Sequence, residues 1–457
     1  MISPACACSR IDPIYISLLL LALALRLGAW SLSEGNLSGD EGQYLGIAHE
    51  IRTEGRFALH GETTAWRPPL YPAFLALCGS LTESLALPRL IQVLASLAVL
   101  ELVALSVAFL TRDRRVAHGA LFLGALSPCW IGYPTELLSE TLFGFLLLAA
   151  LVALITGLEK RGRDTWAWHA ISGVLLGAAT LTRSVTLLLP LAWLLAAPFA
   201  ERRRDFLKAI LIMALAWILT LAPWTLRNAL RFHAFIPVNT MSGVVLWQGM
   251  NPPAEGFGFC DWEAIDRSAG TRNEVARDRI LTRKGMEQMA ADPANSARLA
   301  AIKLLWLFNP WDGDSHALGS PFNPHTFALL AFACLFLIRW RKPGRDLGRP
   351  GAEAPEGTHE IRREALILFG ATFVYFVLLA MVYYGSPRFR TPIDPILWMA
   401  AGAGLARLRD LPRGVREPLC VGLCLILGAL YFGGEEIKNH MKAALDRTLD
   451  YSSLFSG

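Results

Sequence analysis

Charge is what this sequence has little of. Only 18% of its 457 residues are Asp, Glu, Lys or Arg, against 54% hydrophobic residues. A soluble chain of ordinary composition carries about 25% charged residues, so water is not the solvent for much of this one. The net charge of +5 is spread through short connecting segments rather than gathered into a basic stripe, and no nucleic-acid partner is expected. There is no P-loop and no dinucleotide-binding glycine fingerprint, which removes the common cradles for nucleotide phosphates. Cysteine follows no ligand or disulfide pattern. Cys78, Cys129, Cys334, Cys420 and Cys424 lie in apolar segments, where a free thiol acts as a small hydrophobe. No repeat of solenoid period and no inverted pair of broken helices is found.

What fills the chain is apolar runs of a length that crosses a bilayer as helix, roughly 20 residues each. They fall near 14–33, 87–110, 116–132, 136–157, 169–182, 185–200, 206–223, 325–339, 364–384, 391–407 and 416–434. Alternate connections are basic: "TRDRRVAH", "EKRGRD", "ERRRDFLK", "RWRKPGRDLGRP" with "HEIRRE", and "RLRDLPRGVRE". Lys and Arg in short loops mark the cytoplasmic side. The expectation is an all-α, polytopic membrane helix bundle of about 11–13 transmembrane helices, in the inner (plasma) membrane of a bacterium. Residues 34–86, 133–135, 224–324, 385–390 and the C-terminal tail then lie outside. The apolar segment "PPLYPAFLALCGSL" (68–81) cannot be a span without inverting every later basic loop, so it reads as interfacial or re-entrant. Arg26 interrupts the first run and no small-x-small cleavage site follows, so that run reads as a retained span.

This division gives an N-terminal membrane bundle (1–223) that includes the external segment 34–86. A partly helical external cap (224–324) follows, then C-terminal membrane helices (325–434) with a cytoplasmic linker (340–363), then a short external tail (435–457). In the cap, "NEVARDRILTRKGMEQMA" (273–290) and "PANSARLAAIKLLWLF" (293–308) read as interfacial helices, with Pro293 suited to a first helical turn.

The polar residues that remain gather at the external end. In "SGDEGQYLGIA", Ser38 and Glu41 have capping-box spacing, which accounts for Glu41 structurally. Asp40 gains only a dipole benefit of about 0.3–1 kcal/mol there, so a chemical role is open for it. "AWRPPLYP" places Arg67 and Tyr71 around a rigid double proline; both also suit membrane anchoring. In "YPTELLSETLF", Glu136 and Glu140 are four apart and would stack on one face of the fourth span. Glu140 sits deeper, where a carboxylate needs a partner or a wet cavity. Arg183, Arg227, Arg388 and Arg390 all fall in outer turns that positive-inside bias would keep free of arginine. Either the carboxylates compensate them or they bind an anion, and the guanidinium fork suits phosphate.

In order along the chain, "SGDEGQYLGIA", "RPPLYPAFLA", "PTELLSETLF", "LTRSVTLLLP", "APWTLRN" and "YGSPRFRTPIDP" resemble segments of bacterial GT-C glycosyltransferases of the protein mannosyltransferase (family 39) and lipid A aminoarabinose transferase type. The resemblance implies a polytopic helical GT-C fold and inverting transfer of a sugar from a polyprenyl-phosphate donor. It implies Asp40 as catalytic base, Arg388 and Arg390 as donor-phosphate contacts, and Arg67, Glu140 and Arg183 as supporting residues. Read from the residues themselves, Glu41 and Glu140 are further candidate catalytic carboxylates, and Tyr71 and Arg227 join Arg67, Arg183, Arg388 and Arg390 in the candidate substrate-binding set. The short C-terminal tail and the absence of a large inserted external domain leave the acceptor open between lipid, glycan and protein. A lipid phosphate leaves as an anion and needs no general acid, so one base and a basic clamp suffice. A divalent cation beside Asp40 and Glu41 is chemically compatible, but no His is spaced to complete a site, so no obligatory metal is expected. The rival reading is a transporter or flippase for lipid-linked sugars, which would place ionisable groups near the midplane.

Overall fold

The computed structural model describes residues 12–33, 37, 39–111, 113–160, 165–251, 262–309, 324–340, 358–408 and 413–414. It is all-α of the expected kind apart from one two-residue hairpin. Helix α1 (Pro13–Leu32) starts where Asp12 accepts from the N–H groups of Ile14 and Tyr15, with proline in the first turn. Helix α2 (Asp40–Glu54) is bounded by Gly39 and Gly55, both at positive φ. Strands β1 (Ala58–Leu59) and β2 (Glu62–Thr63) pair antiparallel around His60 and Gly61, both in the left-handed region that two-residue hairpin loops require. Helix α3 (Leu70–Leu81) has 12 residues, about 18 Å of rise, too short to cross a hydrocarbon core of about 30 Å. That length fits the interfacial reading of 68–81.

The bundle continues through α4 (Ala86–Leu110), α5 (Arg114–Ala125), α6 (Pro128–Gly132) and α7 (Glu140–Glu159). Helices α8 (Thr165–Thr182), α9 (Leu189–Ala196) and α10 (Arg203–Phe232) come next. A cap of α11 (Ser242–Met250), α12 (Trp262–Ala269), α13 (Glu274–Ala291) and α14 (Pro293–Leu307) follows, and α15 (Pro324–Trp340), α16 (Thr358–Val382) and α17 (Asp394–Leu408) return to the bundle.

Among the described residues, five helices are long and apolar enough to cross a membrane: α1, α4, α7, α10 and the 362–382 part of α16. The run expected to span at 116–132 is instead broken, with α5 and the following segment bent by 67°. The cause is local: Pro128 has no N–H to continue α5 and sits in the first turn of α6. The fourth expected span also begins later than its sequence suggested. A 3₁₀ turn (Tyr133–Thr135) precedes it and the helix opens at Glu140, so Glu136 and Glu140 do not share a helix face. The run at 416–434, residues 341–357 of the linker and the tail at 435–457 lie outside the described residues.

Helix α7 is the axis of the bundle and is buried along most of its length. Helix α8 comes close to α10 because a Cβ on Gly173 would lie 2.2 Å from the Met213 carbonyl oxygen, and one on Gly177 would lie 2.6 Å from Thr220. Two small residues four apart let helix backbones approach without a hydrophobic driving force, as they do in lipid. On the opposite side of α10, Leu211, Leu215, Leu219, Leu226 and Leu230 are each about 60% or more exposed or nearly so. An apolar stripe of that length turned outward fits lipid rather than water.

Candidate active site

Five ionisable side chains from distant parts of the chain converge at one end of the bundle. Asp40 is the first residue of α2, set there by the positive φ of Gly39. Glu140 is the first residue of α7. Arg183 follows the end of α8, and Arg388 rides on a 3₁₀ turn (Pro387–Arg390) whose start is capped by the Ser386 hydroxyl. Arg67 stands before the double proline that opens α3.

The contacts make a chain of charges. Arg67 donates through Nη2 to Asp40 Oδ1 in a short contact and through Nε to Gln43 Oε1 at 2.9 Å. Arg388 donates through Nη2 to Asp40 Oδ2 at 2.9 Å and through Nε to Glu140 Oε1 in a second short contact. Arg183 reaches the same Glu140 oxygen at 2.6 Å and the Ser139 hydroxyl at 3.2 Å. Arg388 therefore bridges two carboxylates that are 100 positions apart in the sequence. Burial alone would push the Asp40 carboxyl up; the adjacent Arg67 and Arg388 guanidiniums outweigh it and hold Asp40 at about 2. Burial works against the charge of Arg388, but Glu140 and Asp40 raise its proton affinity above the ordinary arginine value.

These groups border a cavity of about 310 Å³. Asp40, Arg67, Arg183 and Arg388 line it; Glu140 does not and is 1% exposed. Phe143, Val185, Leu187, Leu188, Phe376 and Leu379 give it apolar lining, and Pro237, Val238, Asn239, Met241, Ser242 and Val245 line it as well. Fixed cations and hydrocarbon in one cavity suit an amphiphile with an anionic head.

The loop that presents Arg67 is fastened from outside the bundle. Glu274, at the start of α13, accepts from the Ala65 N–H at 2.8 Å and the Thr64 hydroxyl at 2.6 Å. The Thr240 N–H donates to the Ala65 carbonyl at 3.0 Å. Trp66 lies under the Arg277 guanidinium at 4.6 Å and forms a small core with Val244, Ile265, Ala269 and Leu281. The cap is thus assembled around the residue next to Arg67. Sequence reading missed Glu274 and Gln43, because nothing local announces a partner some 200 residues away or one turn up a helix.

The remaining expected site residues are placed elsewhere. Gly39 occupies the cap position expected of Ser38, which lies outside the described residues, and Glu41 accepts from the Leu137 N–H at 2.8 Å. It thereby ties α2 to the segment leading into Glu140. Tyr71 donates to Gln92 at 2.6 Å, and Gln92 donates to the carbonyls of Pro134 and Glu136 at 3.1 and 2.6 Å. Tyr71 is therefore one layer behind the cavity and supports the turn before α7. Arg227 donates to the carbonyls of Thr64 and Phe57, both at 2.9 Å, among the rings of Phe57, Trp224 and Phe232. It clamps the hairpin and does not line the cavity. Arg390 does not join Arg388: it is 1% exposed, paired with Asp394 at 2.7 Å and bonded to Thr326 at 3.0 Å.

The donor set does not fit a divalent cation beside Asp40. Both Asp40 oxygens face guanidiniums, Glu140 holds two more donors, and Glu41 is turned to a backbone N–H. A metal ion there would displace or repel arginines. Among the described residues no cluster of His, Cys, Asp or Glu suited to a metal ion is found.

The pattern of the dolichyl-phosphate-mannose-protein mannosyltransferase family matches residues 66–226. That stretch holds Arg67, Glu140 and Arg183 and stops short of Asp40 and Arg388. No curated protein matches the sequence. Among solved structures, the Archaeoglobus fulgidus oligosaccharyltransferase in complex with zinc and sulfate is similar at 14% identity with a TM-score of 0.54, over 92% of this chain and 51% of that one. The oligosaccharyltransferase AglB of the same organism, in complex with an inhibitory peptide and a dolichol-phosphate, is similar at 12% identity and a TM-score of 0.51, over 87% and 50%. ArnT from Cupriavidus metallidurans bound to undecaprenyl phosphate aligns at 13% identity over 87% and 78%, with a TM-score of 0.42. At these identities the likeness is one of fold. The chain shares the helical fold of these oligosaccharyltransferases and spans about half of their length.

Proposed function

We propose that this protein is an integral-membrane glycosyltransferase of GT-C type that moves a sugar, with inversion, from a polyprenyl-phosphate donor to an acceptor of the bacterial envelope. The acceptor is a hydroxyl on a lipid, glycan or protein, and the site opens on the extracytoplasmic face of the inner membrane. The carrying observation is the pairing of Asp40 with Arg388 in the lining of a cavity that is otherwise largely apolar. The matched family pattern and the shared fold support the same reaction class. The basic short loops support the orientation.

The chemistry follows from the wall of charges. The donor phosphate takes Arg388 and Arg183, and the isoprenoid lies against Leu187, Leu188 and Leu379. A guanidinium drawn toward phosphate loosens its hold on Asp40, whose proton affinity then rises. Asp40 accepts the proton of the acceptor hydroxyl while that oxygen bonds to the anomeric carbon and the carbon–oxygen bond to the phosphate breaks. Attack from the side opposite the leaving group inverts the centre. The lipid phosphate departs with the electron pair as an anion, held by arginines already in place. Glu140 touches no substrate atom in this scheme; it keeps Arg183 and Arg388 aligned.

The test is transfer by the full-length protein in lipid nanodiscs, with a labelled polyprenyl-phosphate sugar and an envelope extract as acceptor. Asp40→Asn is expected to lower transfer about 10²–10⁴-fold while labelled polyprenyl phosphate still binds. Arg52→Ala, which removes an exposed pair with Glu83, serves as the neutral control. Wild-type transfer by the Asp40→Asn protein would remove Asp40 as the base.

A further inference from the structure

The cap helix α14 carries one lysine inside an apolar stretch, "AAIKLLWLF". Lys303 is 0% exposed, and lysine is almost never fully buried unless it is paired. Among the described residues it has no carboxylate partner. Its Nζ donates to the Val382 carbonyl at 2.9 Å and lies 3.7 Å from the Met250 sulfur. Burial, unopposed by any neighbouring charge, pulls the ammonium down to about 8. A lone buried cation costs stability, and an apolar side chain of the same length would fill this space without that cost.

What Lys303 holds is the start of the connection to Arg388. Val382 ends α16, and the last carbonyls of a helix have no partner within it. A cation at that end also meets the negative pole of the helix dipole. Only residues 383–386 separate Val382 from the 3₁₀ turn that bears Arg388. The cap grips this short connection at two further points. A Cβ on Gly249 of α11 would lie 1.7 Å from the Tyr383 carbonyl oxygen, and one on Gly385 would lie 1.9 Å from the Lys303 carbonyl oxygen. Backbone packed this closely leaves the connection no room to shift toward α11 or α14. At its far end the Arg388 N–H donates to the Ser386 hydroxyl at 3.3 Å. The cap therefore reaches both arginines that hold Asp40: Arg67 through Glu274 and Thr240, and Arg388 through α11 and α14.

We infer that Lys303 is a positioning residue for transfer: it ties the end of α16 to the cap and so sets the turn that aims Arg388 at Asp40, Glu140 and the donor phosphate. This rests on the glycosyl-transfer reading above. Lys303 does not line the cavity, so its effect passes through Arg388.

The experiment measures affinity for labelled polyprenyl phosphate, and sugar transfer, by the full-length protein in nanodiscs. Lys303→Met is made in the wild type and in the Arg388→Ala background. Methionine keeps the length and removes the donor. The unfolding temperature should stay within a few degrees of wild type, because removal of a lone buried charge offsets the unpaired Val382 carbonyl. In the wild-type background, affinity and transfer should each fall about tenfold. In the Arg388→Ala background the same change should alter affinity less than about twofold, as expected of a residue that acts through that arginine. Equal losses in the two backgrounds would overturn the assignment, and so would unchanged affinity and transfer in Lys303→Met alone. Lys303→Gln, polar but one bond too short to reach Val382, is read in the same two backgrounds if the methionine protein does not fold. Failure of the wild type to bind polyprenyl phosphate would overturn the transferase reading together with this one. Normal wild-type binding and transfer that Lys303→Met leaves intact would overturn this one alone.

Discussion

Arg388 and Arg390 share one short 3₁₀ turn and have opposite fates. Arg388 is a quarter exposed, faces the cavity and divides its donors between carboxylates from two other helices. Arg390 is sealed in the bundle with Asp394, the first residue of the helix that follows, and with Thr326. At about three residues per turn, positions two apart point to different sides, so the "RFR" that reads as a pair in sequence is a divided pair in space. A guanidinium whose partners come from elsewhere in the fold can exchange one of them for a ligand. One enclosed with a single carboxylate cannot do so without leaving a buried charge alone.

The largest effect that would sharpen this contrast is on folding. Arg390→Ala should strand Asp394 and cost about 3–5 kcal/mol of stability, seen as early loss of the monodisperse peak when detergent-solubilised protein is heated. Arg388→Ala should leave that peak near its wild-type temperature and lower transfer about 10²–10³-fold, the range for losing one charge-stabilising donor. If instead Arg390→Ala folds normally and loses donor binding, the division between the two arginines is wrong. Glu274→Ala removes two hydrogen bonds from the loop bearing Arg67. It should cost about 1–3 kcal/mol, read as a rise in the donor KM greater than any fall in kcat. The smallest shift is expected from the double replacement Arg390→Met with Asp394→Leu. It takes away both charges together and should lie within about 1 kcal/mol of wild type or above it.

Much of the site was legible because arginine in a short outer turn is expensive to explain. That reasoning picked out Arg183 and Arg388, the cost of a deep carboxylate picked out Glu140, the want of a structural role picked out Asp40, and the resemblance added Arg67; the structure brings these five side chains together. It failed where the deciding partner is remote or geometric. Glu41 has the spacing of a capping residue, but Gly39 takes the cap and Glu41 turns to a backbone N–H 96 positions away. Arg227 satisfies the same rule as Arg183, yet it spends its donors on the carbonyls of Phe57 and Thr64. The fold was legible from apolar run length, with errors at prolines. Hydropathy averages over Pro128, whereas the backbone cannot carry a hydrogen bond through it.

The fastening of residues 64–66 to α13 has a consequence for anyone building chimeras. Trp66 is part of the cap's own small core, and Glu274 holds the backbone immediately before Arg67. A cap segment exchanged between related proteins along its apparent sequence boundaries would arrive without its tryptophan and would leave Arg67 untethered. The unit that can be transplanted is discontinuous, and the residues around Trp66 must travel with it.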